Sequence, residues 1–172
     1  MSEKIPAPYS YKQMAKELLV AFAIAFILFR ILFGISIVSG PSMRETLHSG
    51  DIVFFRRIGY SPGYGDIVLA NSDGLNEVII KRVIGLPGDV IEIDEETASV
   101  YRNGELLKEE YLGSPTVSCA DMDGSVTVDD NCVFVMGDNR EHSCDSRNNI
   151  VGQIPFDHIL GKYVWTIIHG LS

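Results

Sequence analysis

The sequence predicts a mainly β domain, a folded β-sandwich or partly open barrel, preceded by one N-terminal transmembrane helix. Residues Leu18 to Val38 form a continuous apolar run. After Ser39 the pattern breaks into short runs rich in β-branched and aromatic residues. Gly, Pro, Asn and Asp separate these runs at turn positions. At 172 residues the chain holds one domain with an N-terminal appendage, and it can bury a core without disulfide staples.

Residues 1–17 read as an N-terminal tail and 18–38 as the membrane anchor. The run LLVAFAIAFILFRILFGISIV carries one charge, Arg30, and matches the roughly 20 apolar residues a helix needs to cross a bilayer. Its fifteen Leu, Ile, Phe and Val residues, at about −0.3 to −0.6 kcal/mol each, outweigh the roughly +3 kcal/mol of a central arginine. Arg30 lies past the midpoint, where its stem can snorkel toward the interface. A cleavable signal peptide would carry an apolar core of about 7–15 residues and would be cut beside Ser42. A buried core helix would show a polar face. A permanent anchor is the better reading. Lys4, Lys12 and Lys16 before the span are matched by Arg44, Arg56 and Arg57 after it, so charge alone does not orient it.

Residues 39–172 make up the folded domain. Strands are predicted at Asp51 to Arg57, Asp66 to Ala70, Glu77 to Ile84, Asp89 to Ile93 and Cys132 to Met136. Asn103-Gly104 is the pair favoured in a two-residue type I′ hairpin turn, and Pro62-Gly63-Tyr64-Gly65 punctuates two earlier strands. Residues 94–131 are richer in acidic and small polar residues and read as a peripheral insertion. Pro155 to Leu160 suits a short helical turn and Lys162 to His169 a last strand.

Composition excludes some functions. With 14 basic against 23 acidic side chains, the chain has no cationic surface for nucleic acid. Cys119, Cys132 and Cys144 are too few for a disulfide framework and too widely spaced for a zinc site, so no metal or cofactor is expected. A Cys119–Cys132 bridge and two small buried apolar residues are both open readings.

Three segments carry the chemistry. Gly40-Pro41-Ser42-Met43-Arg44-Glu45-Thr46-Leu47 directly follows the apolar run. Alone, Ser42 there reads as a turn or capping residue. The second is Lys81-Arg82-Val83-Ile84-Gly85-Leu86-Pro87-Gly88-Asp89, and its Lys81 sits in the apolar strand Val78 to Ile84, where alternation places it on the face opposite Ile80 and Arg82. A serine hydroxyl needs a neighbouring base, and a lysine amine serves when desolvation lowers its pKa. Lowering it from about 10.4 to near 8 costs roughly 3 kcal/mol, which apolar burial can supply. The third segment, Gly137-Asp138-Asn139-Arg140-Glu141-His142-Ser143-Cys144-Asp145-Ser146-Arg147, alone reads as a tight turn with an exposed ion pair.

Together, in this order behind an anchor, these segments resemble the signature boxes of type I signal peptidases, Ser/Lys serine proteases of the bacterial cell membrane. The resemblance covers most of the chain outside 94–131. It implies Ser42 as nucleophile and Lys81 as general base. It also implies that Ser143 hydrogen-bonds the lysine and that Asp145 and Arg147 form a bracing ion pair, with Gly137, Asp138 and Asn139 shaping the turn that delivers Ser143. His48, His142, His158 and His169 match no catalytic position. Two departures stand out. Glu45 replaces a common proline and puts a charge near the nucleophile. Gly40 replaces a serine that in some members helps hold the oxyanion, so the oxyanion would rely on backbone N–H groups, that of Ser42 first.

The implied activity is removal of signal peptides from exported preproteins, with the N-terminus inside the cell and the catalytic domain outside. The cleavage segment would add as a strand along Val78, Ile79 and Ile80, beside Met43, with small residues selected just before the cut. The partners would be preproteins and the lipid bilayer. Two alternatives are a Ser/Lys autoprotease of the repressor type and a catalytically inactive, membrane-anchored β-domain that binds other proteins.

Overall fold

In the computed structural model, which describes residues 10–94, 96–113, 115, 116, 122 and 124–170, the chain opens with helix α1, Tyr11–Leu32, and passes directly into strand β1, Phe33–Ile37. The apolar run is therefore not one helix. Phe33 already has extended backbone, and its N–H closes the last helical turn on the Phe29 carbonyl. The physical reason is strand pairing: Phe33 to Ile37 run antiparallel to Arg56 to Ile52 in unbroken register. The apolar part of α1, Leu18 to Leu32, reaches about 22 Å at about 1.5 Å per residue, against the roughly 30 Å of a bilayer core. Among the described residues, no helix is long and apolar enough to cross a membrane.

Ten further strands follow. They are β2 (Ile52–Arg56), β3 (Ile67–Ser72), β4 (Glu77–Gly85), β5 (Val90–Asp94), β6 (Ser99–Arg102), β7 (Glu105–Leu106), β8 (Ser125–Thr127), β9 (Cys132–Met136), β10 (Ile154–Pro155) and β11 (Ile159–Ile168). The described residues form two antiparallel sheets, one ordered β1-β2-β11-β3-β4-β9-β10 and a smaller one ordered β7-β6-β5-β8. The predicted mainly β domain and its principal strands are present. Asn103 and Gly104 both take positive φ between β6 and β7, as a type I′ turn requires. A single 3-10 turn, Phe156–His158, occupies the predicted helical segment. Cys119 lies outside the described residues, and with it the Cys119–Cys132 pairing.

Three clusters of buried side chains hold this arrangement. Val38, Met43, Leu47, Val53 and Ile67, with Ile80 and Tyr163 against them, fill the space enclosed by β1, β2, β11, β3 and β4. Val68, Ala70, Ile79, Val83, Val133, Val135 and Ile154 cover the other face of the same sheet. Ile84, Phe134 and Met136 of the large sheet meet Ile91 and Val100 of the small one, so the two sheets share a core.

Close packing of β1 and β11 on β2 depends on two glycines. A Cβ at Gly34 would lie 2.4 Å from the Phe55 ring, and one at Gly161 would lie 2.4 Å from the same ring and 2.6 Å from the Arg56 carbonyl oxygen. Phe55 thus lies against two glycines on the strands either side of its own. Because the Arg56 carbonyl is backbone and cannot swing aside, Gly161→Ala is expected to cost about 1–3 kcal/mol. Urea denaturation monitored by Trp165 fluorescence measures it.

Candidate active site

The segment after β1 is turned by Gly40, whose φ is +83°. No atom lies within 4 Å of where its Cβ would be, so glycine serves the backbone conformation here. The next residues coil tightly: Arg44 N–H donates to the Pro41 carbonyl, and the Thr46 and Leu47 N–H groups donate to that of Met43. Met43 and Leu47 are buried in the cluster with Val38, Val53 and Ile67. With its neighbour anchored, Ser42 is half-buried and faces Lys81.

Lys81 lies on β4 and is only 4 % exposed. Its Nζ donates to Ser42 Oγ at 2.8 Å and to the Ile80 carbonyl at 3.2 Å. Burial pulls the amine below the ordinary lysine value, while the nearby Asp145, Cys144 and Glu77 oppose that shift and Arg147 reinforces it.

The segment Gly137 to Arg147 closes the site from below. A Cβ at Gly137 would fall 2.3 Å from Ser143 Oγ and 2.4 Å from the Ser42 carbonyl oxygen, so only glycine allows this approach. Asn139 binds the Ser42 loop twice, N–H to the Ser42 carbonyl at 3.0 Å and Nδ2 to that of Pro41 at 3.1 Å. Asp138 accepts Arg82 Nε and Nη2 at 2.8 and 2.5 Å and the Thr46 hydroxyl at 2.5 Å. Asp145 and Arg147 form a buried, bidentate pair at 2.8 and 2.9 Å. Asp145 also accepts the Gly137 N–H and the Ser143 hydroxyl.

Ser143 therefore differs from the implied geometry. Its hydroxyl donates at 2.6 Å to Asp145, a charged and hence stronger acceptor, while the lysine amine is directed to Ser42 and Ile80. Glu45 differs too. Its φ is +85°, which proline's ring forbids, and its side chain packs on Gly113. The charges that act on Lys81 come from other residues.

Above the Ser42–Lys81 contact lies an open cleft of about 330 Å³. Residues 36–43 form one wall, residues 75 and 77–81 the other, and Cys144 adds to the lining. Gly40, Met43, Val78, Ile79 and Ile80 all take part, and no histidine does. β9 pairs with β4 only from Arg82 onward, and β3 covers the other side of Glu77 to Arg82. The β4 edge facing the cleft is thus unpaired, as is the outer edge of β1. Arg82, Thr46, Asp138 and Asn139 form contacts that single-residue reading did not find, because their partners lie 36 to 98 positions away. Among the described residues, no group of three or more His, Cys, Asp or Glu is placed to hold a metal.

A hydroxyl touching a buried amine at the floor of a strand-edged cleft is the equipment of a serine-type peptidase, and the likenesses to known proteins establish that class. The family described as signal peptidase, peptidase S26, matches residues 11–168. The chain is 36% identical to Signal peptidase I S of Bacillus subtilis (strain 168) over 160 residues, 87% of this chain and 85% of that protein. It is 34% identical to Signal peptidase I of Bacillus amyloliquefaciens over 174 residues, 94% and 89% of the two chains. Probable signal peptidase I-1 of Synechocystis sp. (strain ATCC 27184 / PCC 6803 / Kazusa) is 34% identical over 91% of this chain and 83% of its own. The crystal structure of a signal peptidase I from Enterococcus faecalis V583 superimposes with a TM-score of 0.50 and 32% identity, covering 61% of this chain and 98% of that one. The chain belongs to the signal peptidase family, peptidase S26.

The buried amine has a consequence for stability. Below the depressed pKa of Lys81, folded and unfolded chains both carry the proton, and the desolvation cost is felt in full. As pH rises toward 10.5, the ordinary value, the folded chain loses its proton first, the unfolded chain binds more protons, and stability rises. Lys81→Met removes the cost. The variant is expected to be more stable than wild type below the depressed pKa, with the difference narrowing as pH climbs to 10.5; urea denaturation across a pH series measures this.

Proposed function

We propose that this protein removes signal peptides from exported preproteins, with Ser42 as nucleophile and Lys81 as general base. The observation that carries the reading is the 2.8 Å contact between Lys81 Nζ and Ser42 Oγ, made by an amine whose pKa burial depresses. Once neutral, that amine accepts the hydroxyl proton as Ser42 Oγ attacks the scissile carbonyl carbon. The Ser42 backbone N–H, on a loop held by Asn139 and Gly137, is the donor for the developing oxyanion. The lysine passes its proton to the leaving amine, and the new amino terminus departs. A water then loses a proton to the neutral lysine and attacks the ester carbon; the acyl–Oγ bond breaks, the lysine returns that proton to Ser42 Oγ, and the signal peptide leaves with a free carboxyl group. Asp145, Arg147 and, through Asp145, Ser143 brace the site.

The two unpaired edges suggest how substrate binds. An extended segment adding beside Glu77 to Ile80 pairs its backbone with the open edge of β4, and the opposite wall, 36–41, lies across the cleft. Met43 is buried beneath it, so the floor offers room for small side chains next to the scissile bond.

The protein works at the cell membrane, with residues 1–17 inside and 39–172 outside. No residue of α1 is buried, and large apolar side chains are exposed all round it, an arrangement stable in water only against an apolar partner. Its apolar stretch is shorter than a bilayer core. Embedding it draws the adjoining face of the domain, where Ile35, Ile37, Trp165 and Ile168 are exposed, into the interface. Enzyme and substrate then share one surface, which raises their effective concentration.

Ser42→Ala and Lys81→Ala are each expected to lose at least about 10³-fold in kcat while staying folded, since both steps need both groups. In wild type, kcat/KM should rise with pH along an acid limb set below the ordinary lysine pKa. Mass spectrometry of a cleaved model preprotein reads the cut site; full activity in Lys81→Ala would sink the assignment. Removing residues 1–32 is expected to abolish membrane flotation and to slow cleavage of a vesicle-embedded preprotein at least about tenfold, leaving a short peptide cut at the wild-type rate. Equal loss on both substrates would contradict the membrane role.

A further inference from the structure

Two arginines, Arg140 buried and Arg82 partly buried, flank the turn that holds the nucleophile loop, and both are completed by side chains from a segment of the second-sheet module. Arg140 donates Nε to the Gly137 carbonyl at 3.0 Å. Its other end meets Glu109 in a bidentate pair, Nη1 to Oε2 at 3.0 Å and Nη2 to Oε1 at 2.5 Å, and also contacts Thr116 Oγ1. The Arg140 side chain is fully buried and that of Glu109 nearly so. On the other side Arg82 grips Asp138, and its guanidinium lies 3.9 Å from the centre of the Tyr111 ring. The Tyr111 hydroxyl donates at 2.6 Å to Glu109. Glu109 and Tyr111 thus act as one unit on both cations.

The turn between these cations is the one that touches Ser42. Asn139 N–H binds the Ser42 carbonyl, and Gly137 packs against the same oxygen. Neither Glu109 nor Tyr111 lines the cleft, so neither can meet substrate there. Removing Glu109 would leave the Arg140 charge buried without its counter-ion. Removing the Tyr111 ring would free one face of Arg82. In both cases the support under Asp138 or Gly137 relaxes, and an ångström of displacement at a nucleophile is worth about 10²-fold in rate.

We infer that Glu109 and Tyr111 are positioning residues for the peptidase reaction, setting the Ser42 loop through Arg140, Arg82 and the Gly137-Asp138-Asn139 turn. The inference rests on Ser42 being the nucleophile. It gives Glu109 and Tyr111, outside the cleft, a part in placing the nucleophile. The segment acts on the nucleophile's position and leaves the base alone.

The experiment uses the full chain in detergent, with Tyr111→Leu, Tyr111→Phe and Glu109→Gln. Tyr111→Leu and Glu109→Gln are expected to lower kcat about 10- to 100-fold on a model preprotein, with KM within twofold and the acid limb of the pH profile unmoved. Tyr111→Phe keeps the ring over Arg82 and should recover most of the rate. In parallel, backbone hydrogen exchange in peptides covering 40–47 and 137–143 should quicken at least about tenfold in Tyr111→Leu and Glu109→Gln but not in Tyr111→Phe. Wild-type kcat and exchange in folded Tyr111→Leu and Glu109→Gln would overturn the inference, as would a phenylalanine variant no better than leucine. If wild type itself failed to cut, the proposed function would fail, and the exchange pattern would still decide whether this segment holds the Ser42 loop.

Discussion

A lysine amine kept out of water within reach of a serine hydroxyl is the constraint around which this molecule is arranged. An exposed lysine would hold its proton at neutral pH and could accept nothing. β4 solves this by carrying Lys81 on the face of the large sheet where Ile79 and Val83 are buried as well. The neighbouring carboxylate of Asp145 works against the shift, because a negative charge favours the ammonium form. Arg147 grips that carboxylate with two hydrogen bonds and offsets part of its field, and desolvation prevails. The ion pair therefore braces the site and also shields the amine from a charge that would spoil it.

β4 of the same sheet also lines the cleft. Unpaired strand edges are ordinarily a hazard, since they recruit other chains. Here one open edge on β4 and the wall that continues β1 lie on either side of the Ser42–Lys81 contact. β9 occupies the β4 edge only beyond Lys81, so the open stretch of that edge ends at the Ser42–Lys81 contact. Phe55 lying against Gly34 and Gly161 belongs to this device, because bulkier residues there would push β1 and β11 away from β2.

Beneath the cleft, three carboxylate–guanidinium pairs are stacked: Arg82 with Asp138, Arg140 with Glu109, and Arg147 with Asp145. Buried pairs are poor sources of stability compared with apolar packing, yet costly to break. Their use here is geometric. Each has directional hydrogen bonds to the turn at 137–139 or its flanks, and that turn holds the Ser42 carbonyl.

Much of this was readable in the chain. The β-rich runs located β2, β3, β4, β5 and β9, each of which buries apolar side chains, and β11, most of which stays half-buried or exposed, and the Asn103-Gly104 pair located its turn because few other residues tolerate consecutive positive φ. Ser42 and Lys81 stood out because their segments resemble those of a known family, and Lys81 also because a lone charge in an apolar strand invites explanation. The apolar run misled at its end: Phe33 to Ile37 suit a helix in lipid as well as a strand, and only the partner strand β2 decides between them. The pairing of Ser143 with Asp145, the turning of Glu45 toward Gly113 and the support from Glu109 and Tyr111 depend on residues that meet only after the sheets close. By itself the sequence determined which stretches alternate, where the chain turns and which residue types are available for chemistry, since these are local properties of side chains. Tertiary structure alone decided which polar groups share a buried space, because burial and distance are properties of the packed whole.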